Sequence, residues 1–201
     1  MIESAEAWLD DWPGSRSPRA REVEARITRT AQELACTHGL DGFTVDDLAS
    51  AAGVSRRTVF NHFPGKIDAV LGNPPSCSPE LVEEFVAGRP HGHLVRDIGA
   101  IIAGLIASDP HSREDAARMP VLLRDHRLME ATHARFADFA ERLAALAALR
   151  GNALGARQSR LLVLLLLAVV REALDLFVLD EERDLPSLFL DLLEETLSLL
   201  D

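Results

Sequence analysis

The stretch AAGVSRRTVFNHFPGK, residues 51–66, decides how the rest of the chain is read. Gly53 breaks the helix before it, Ser55 is of the type that caps helix N-termini by accepting from free backbone N–H groups, and Pro64–Gly65 stops the chain from continuing as helix. Between those marks lies a short helix, RRTVFNHF. Its spacing predicts Val59, Phe60 and Phe63 pressing inward, with Arg56, Arg57, Thr58, Asn61 and His62 left for solvent or a ligand. Lys66 opens a further helix, KIDAVLG. Upstream, Thr44 is placed to cap a helix with Asp47 in the capping-box position and Val45, Leu48 and Ala49 facing in. Earlier still, Ile27, Ala31 and Leu34 step along one face of a first helix, which Gly39 stops ahead of an Asp-Gly turn. Two helices joined by a tight turn, the second polar along one edge, form a helix-turn-helix, whose second helix enters the DNA major groove.

The bulk numbers pose a conflict with that reading. The 201 residues are 47% hydrophobic, enough for a sizeable core, yet the formal net charge is -11. The charge is uneven. Between residues 16 and 66 the basic Arg16, Arg19, Arg21, Arg26, Arg29, Arg56, Arg57 and Lys66 outnumber the acidic Glu22, Glu24, Glu33, Asp41, Asp46 and Asp47, whereas the remainder is strongly acidic. Any anion-binding surface is therefore local and N-terminal. Arginine far outnumbers lysine, of which Lys66 is the sole example, and this reflects coding composition rather than recognition. Leu, Ala and Arg dominate while Gly and Pro gather in breaks, so the fold class predicted is all-α. The opening residues MIESAEAWLDD lack a basic start and an apolar core, so no export signal is expected, and two distant cysteines make no disulfide framework. A cytoplasmic location is the resulting expectation. The longest apolar run, LLVLLLLAVV at 161–170 between Arg160 and Arg171, is shorter than the roughly 20 residues of a membrane span and reads as a buried helix, with no membrane partner.

Three segments are predicted: residues 1–18, containing the Pro/Gly/Ser-rich WPGSRSPR, as a flexible lead-in; 19–71 as the helix-turn-helix domain; and, past the GNPPSCSP break, 79–201 as a helical domain. Helices are expected near 79–87, 92–107, 112–125 with Pro120 as a kink, 128–149, 156–179 and 185–200. On the helix-turn-helix, Arg56 or Arg57 can bond guanine O6 and N7 in bidentate fashion, Thr58 can meet a base edge or thymine methyl, and Ser55, His62 and Lys66 suit phosphates. Arg16, Arg19 and Arg21 are a minor-groove arm or a plain tail.

From about Arg21 to Leu71 the chain resembles the TetR-type transcriptional regulators, carried by HG, FTVDDLA, AGVS, TVFNHF and the subsequent Lys in order and tightly spaced. The resemblance implies a three-helix DNA-binding domain and, after it, a variable C-terminal helical domain for ligand binding and dimerisation. It implies DNA contacts among Thr44, Arg56, Arg57, Thr58, Phe60, Asn61, His62 and Lys66. Two departures stand out. Phe60 lacks the hydroxyl of the tyrosine often found there or beside it, which makes it a packing residue able to touch a thymine methyl, and Pro74 and Pro75 interrupt a fourth helix that is usually long.

In the acidic half the helix at 156–179 is apolar all round for nearly three turns, and the last helix carries a stripe of Leu188, Leu192, Thr196 and Leu200. A homodimer is predicted through Leu161, Leu165, Val169, Leu176, Leu188, Leu192 and Thr196, placing two recognition helices about 34–36 Å apart on a palindromic operator. An apolar effector pocket is predicted from Ile98, Ile102, Leu105, Met119, Leu123, His126, Met129, His133 and Phe136. The chain thus reads as a repressor released from double-stranded DNA by an unknown small-molecule effector, with no cofactor and no enzyme activity. The alternative is a helical-bundle enzyme or metal-binding protein with a non-DNA-binding helix-turn-helix. Against it, Glu130 and His133 form a Glu-x-x-His pair without the second copy a di-iron bundle needs, His91 and His93 read as a surface turn without a Cys partner, and Cys36 and Cys77 read as free thiols.

Overall fold

The computed structural model describes residues 4–10, 12, 17–75, 77–108, 112–151 and 154–199, and among these there are helices and no strand. The elements in chain order are α1 (Ala5–Asp10), α2 (Pro18–His38), a short 3-10 turn (Leu40–Gly42), α3 (Val45–Ala51), α4 (Arg56–His62), α5 (Lys66–Leu71), α6 (Pro79–Val86), α7 (Leu94–Ser108), α8 (Arg113–Leu122), α9 (His126–Leu149), α10 (Ala156–Leu179) and α11 (Leu185–Ser198). Arg16, one of the three arginines of the predicted arm, and Leu200 of the last-helix stripe lie outside the described residues.

The chain forms two compact units. One comprises residues 16–74 with 117–134, the other residues 1–15, 75–116 and 135–201. In the first, α2 starts at the Ser17 cap, whose hydroxyl accepts from the Ala20 N–H, with Pro18 in the first turn where its missing N–H costs nothing. Gly39 ends α2 at φ 71°, a conformation that favours glycine. Ile27, Ala31 and Ala35 of α2 meet Leu48 and Ala49 of α3, Val59 of α4, Phe63, and Ala69 and Val70 of α5, all buried in one core. Leu122 and Leu128 are buried in that same core and Met119 packs on it. The N-terminal unit is thus larger than the 19–71 span predicted, because part of α8 and the start of α9 complete its apolar interior. Arg127 reinforces this, its Nη1 and Nη2 donating to Asp41 Oδ1 and Oδ2 at 2.9 and 3.0 Å, and Arg118 lies 3.6 Å from Glu33.

The second unit packs α7, α10 and α11 around Ile98, Ile101, Val163, Leu166, Leu188, Phe189 and Leu193. Gly99 lets α7 approach α11 closely, since a Cβ there would fall 2.2 Å from Leu193 Cδ2. Asp97, fully buried at the start of α7, meets Arg150 Nη1 at 2.6 Å and accepts from the His91 N–H at 2.7 Å, and the Arg150 guanidinium lies over the Phe85 ring. The expectation of a flexible 1–18 segment is corrected here. Residues 5–10 form α1, and Trp8 and Trp12 are buried in this unit's core, where indole burial outweighs the breaking tendency of the Pro/Gly/Ser residues beyond them. No helix among the described residues is long and apolar enough to cross a membrane.

Candidate nucleic-acid interface

The helix-turn-helix is built by two caps and a glycine. Thr44 and Asp47 close a capping box at α3: the Asp47 N–H donates to Thr44 Oγ1 at 3.1 Å and the Thr44 N–H to Asp47 Oδ2 at 2.8 Å. The Thr44 hydroxyl also donates to Asp47 Oδ2, and this side-chain bond, with the backbone bond behind it, holds the Asp47 carboxyl below the usual aspartate range. Gly53, at φ 65°, reverses the chain, and the Val54 N–H reaches back to the Ala49 carbonyl. Ser55 then caps α4, accepting from the Thr58 N–H at 3.0 Å, with the two side-chain hydroxyls 2.7 Å apart. α4 starts where the sequence predicts and ends one residue earlier, with Phe63 as its C-cap.

Of the nine residues assigned to DNA, four form a contiguous exposed edge of α4: Arg56, Arg57, Phe60 and Asn61. Arg56 Nη1 donates to Asp46 Oδ2 of α3 at 2.9 Å while its guanidinium lies 5.5 Å from the Phe60 ring centroid. That pair is open to solvent, so it orients the guanidinium at little energetic gain and leaves its remaining donors available. Arg57 and Asn61 have no partner among the described residues, so each presents its full donor set. Phe60 departs from the predicted inward packing: it is 46% exposed, because Val59 and Phe63 already fill the contact with the core. An exposed phenyl beside two arginines is suited to a thymine methyl.

Three of the remaining residues have their polar atoms engaged within the unit. His62 turns towards α2, its Nδ1 2.9 Å from Oε1 of the buried Glu24. Lys66 Nζ donates to the carbonyls of Leu40 and Phe43 at 2.5 and 2.7 Å and lies 4.9 Å from the Phe43 ring centroid. Both therefore help to hold the unit together. Thr58 is half-buried, its hydroxyl beside that of Ser55. The sequence reading missed Asp46 and Glu24, which steer Arg56 and His62. They stand 10 and 38 positions from their partners, and no local pattern marks such pairs.

The residues predicted for an effector pocket divide between the two units. Ile98, Ile102, Leu105 and Phe136 belong to one, and Met119, Leu123, His126, Met129 and His133 to the other. Met119 packs on the core of the helix-turn-helix unit and His126, Met129 and His133 are exposed, because the α8–α9 turn is part of that unit. Of the predicted dimer residues, Val169 and Leu188 are corrected in the same way. They are 5% and 2% exposed within the protomer's own core.

Residues 27–68 match the family model for bacterial regulatory proteins, tetR family. The chain is 46% identical over 57 residues to the HTH-type transcriptional regulator EthR of Mycolicibacterium smegmatis, covering 28% of this chain and 26% of that protein. It is 34% identical over 80 residues to the HTH-type transcriptional regulator TcmR of Streptomyces glaucescens, covering 40% and 35%. The chain thus matches only about a quarter to a third of the length of these curated relatives. The structure of SmeT, the repressor of the Stenotrophomonas maltophilia multidrug efflux pump SmeDEF, superposes with a TM-score of 0.46 at 20% identity, over 88% of this chain and 89% of that one. Likeness at that level says nothing of function.

Proposed function

We propose, from a helix-turn-helix that belongs to the tetR family of bacterial regulatory proteins, that this protein is a homodimeric, cytoplasmic transcriptional repressor that binds a palindromic operator and leaves it when a small-molecule effector binds. The relatives matched at that domain are themselves transcriptional regulators. The single observation that carries the reading is the exposed edge of α4. Arg57 and Asn61 have no partner among the described residues, Arg56 is steered by Asp46, and Phe60 offers an apolar contact, all on the helix that the motif sends into the major groove. Arginine suits guanine O6 and N7, and asparagine suits adenine N6 and N7. The acidity of the remainder keeps nonspecific attraction to phosphate low, which leaves base contacts to supply much of the discrimination.

We assign the effector to the unit formed by residues 1–15, 75–116 and 135–201, whose core is mostly apolar. It acts by binding better to a conformer unfit for the operator, and it weakens DNA binding by that difference in affinity. Selection of duplexes from a random pool, at two salt concentrations, tests the DNA reading. A palindrome is expected, with Arg57→Ala losing roughly ten- to a hundredfold of specific affinity while the fold is unchanged. No enriched sequence at either salt would sink it.

A further inference from the structure

The α1 segment is the part of the fold that a helix-turn-helix regulator does not call for. Its two tryptophans are the only ones in the chain, which has no tyrosine. Every other buried residue of that core comes from α6 to α11, so α1 is an added piece. A helix of six residues is far too short to hold its shape alone, and Glu6 and Asp10 face solvent. What seats it is the pair of indoles, with Leu9 packed beside them.

The seat has a defined chemistry. The Trp8 Nε1–H donates to the Arg142 carbonyl at 2.8 Å, and the Trp12 Nε1–H donates to the Pro75 carbonyl at 2.8 Å. Arg142 lies within α9, so Trp8 uses the second lone pair of an oxygen that already serves the helix. The rings stack at 5.0 Å and 23°, and Trp12 meets Phe139 edge-on at 6.2 Å and 74°. Among the described residues the rings stack only on each other, and the surface they cover offers an aromatic edge from Phe139, apolar neighbours and two main-chain acceptors. It asks for a planar ring that brings its own N–H.

We propose that Trp8 and Trp12 are internal occupants of a groove for planar aromatic molecules bearing a ring N–H, and that such a molecule binds by displacing α1. The proposal rests on the regulator reading only in taking that molecule as the effector; the binding is tested without DNA. Occupation in cis lowers the apparent affinity by the fraction of molecules in which the groove is vacant.

The probe is benzimidazole, which is planar and carries one ring N–H. Titrated into the full chain, it should shift tryptophan emission to the red and raise its quenching by acrylamide, both saturably, as the indoles enter water. N-methylbenzimidazole, without the donor, should bind about fivefold more weakly. By calorimetry, a Trp8→Ala, Trp12→Ala variant should bind benzimidazole about tenfold more tightly or better, the competitor being gone. Emission and quenching that stay unchanged in the wild type up to the probe's solubility limit overturn the proposal, whether or not the variant folds. So does a folded variant that binds no more tightly. An emission shift without an enriched operator would sink the regulator reading alone, and an operator without a shift would sink this one alone.

Discussion

Lys66 shows how one side chain can carry two readings that differ in what they cost. Its place after the Pro-Gly break suits a phosphate contact, yet its ammonium is 2.5 and 2.7 Å from the Leu40 and Phe43 carbonyls and lies against the Phe43 ring. Both carbonyls lie at the 3-10 turn between α2 and α3, and Lys66 donates to each. Removing the ammonium while keeping most of the stem, as in Lys66→Met, should therefore lower stability by about 1–3 kcal/mol in denaturant unfolding. The slope of log affinity against log salt for operator DNA should stay as it is. A phosphate contact would give the opposite pattern, unchanged stability and a slope reduced by about one. Arg57, exposed and unpartnered among the described residues, is the complement: its loss should be felt by DNA and not by the fold.

At the scale of elements, the informative feature is that the turn between α8 and α9 belongs to the helix-turn-helix unit. Leu128 is buried there beside residues of α2 to α5, so truncating it removes core volume from a domain to which it does not belong in sequence. Leu128→Ala should cost about 2–5 kcal/mol and be read as earlier loss of protection at amides of α2 and α3 in hydrogen exchange. If those amides kept their protection while only the acidic unit loosened, the assignment of the turn would fail. This also marks how far the sequence is legible. Thr44, Gly53, Ser55, Pro64 and Gly65 act within a few residues of themselves, and their caps and breaks stand where local chemistry puts them. Leu128, Glu24 and Asp46 act through neighbours that only the folded chain supplies, and nothing in their spacing announces it. The α1 helix lies between these cases. Trp8 and Trp12 are one helical turn apart, a period visible in the sequence, but the Pro, Gly and Ser beyond them mask it.

For the whole molecule, the decisive question is which surface a second copy would cover, and the protomer's own burial narrows it. Leu161 and Leu164 are 57% and 56% exposed on α10, and half-buried Leu165 and exposed Ala168 extend them at intervals of three and four residues, one face of a helix. Leu192 and Thr196 of α11 are half-buried, and the Thr196 hydroxyl is already satisfied by the Leu192 carbonyl, so it presents a methyl without a polar penalty. Such a stripe meets its own counterpart about a two-fold axis, and a charge set into it meets a like charge. If the proposed dimer forms through this stripe, Leu161→Glu with Leu164→Glu should give a monomer in sedimentation and limit operator binding to a single half-site, without disturbing the interior. Val169→Ala should do the reverse: it should leave the association state of the wild type unchanged but cost about 1–3 kcal/mol of stability, because Val169 is inside the protomer. A double glutamate variant that sediments like the wild type would move the interface away from α10. The two half-sites would then have to be joined through some other face.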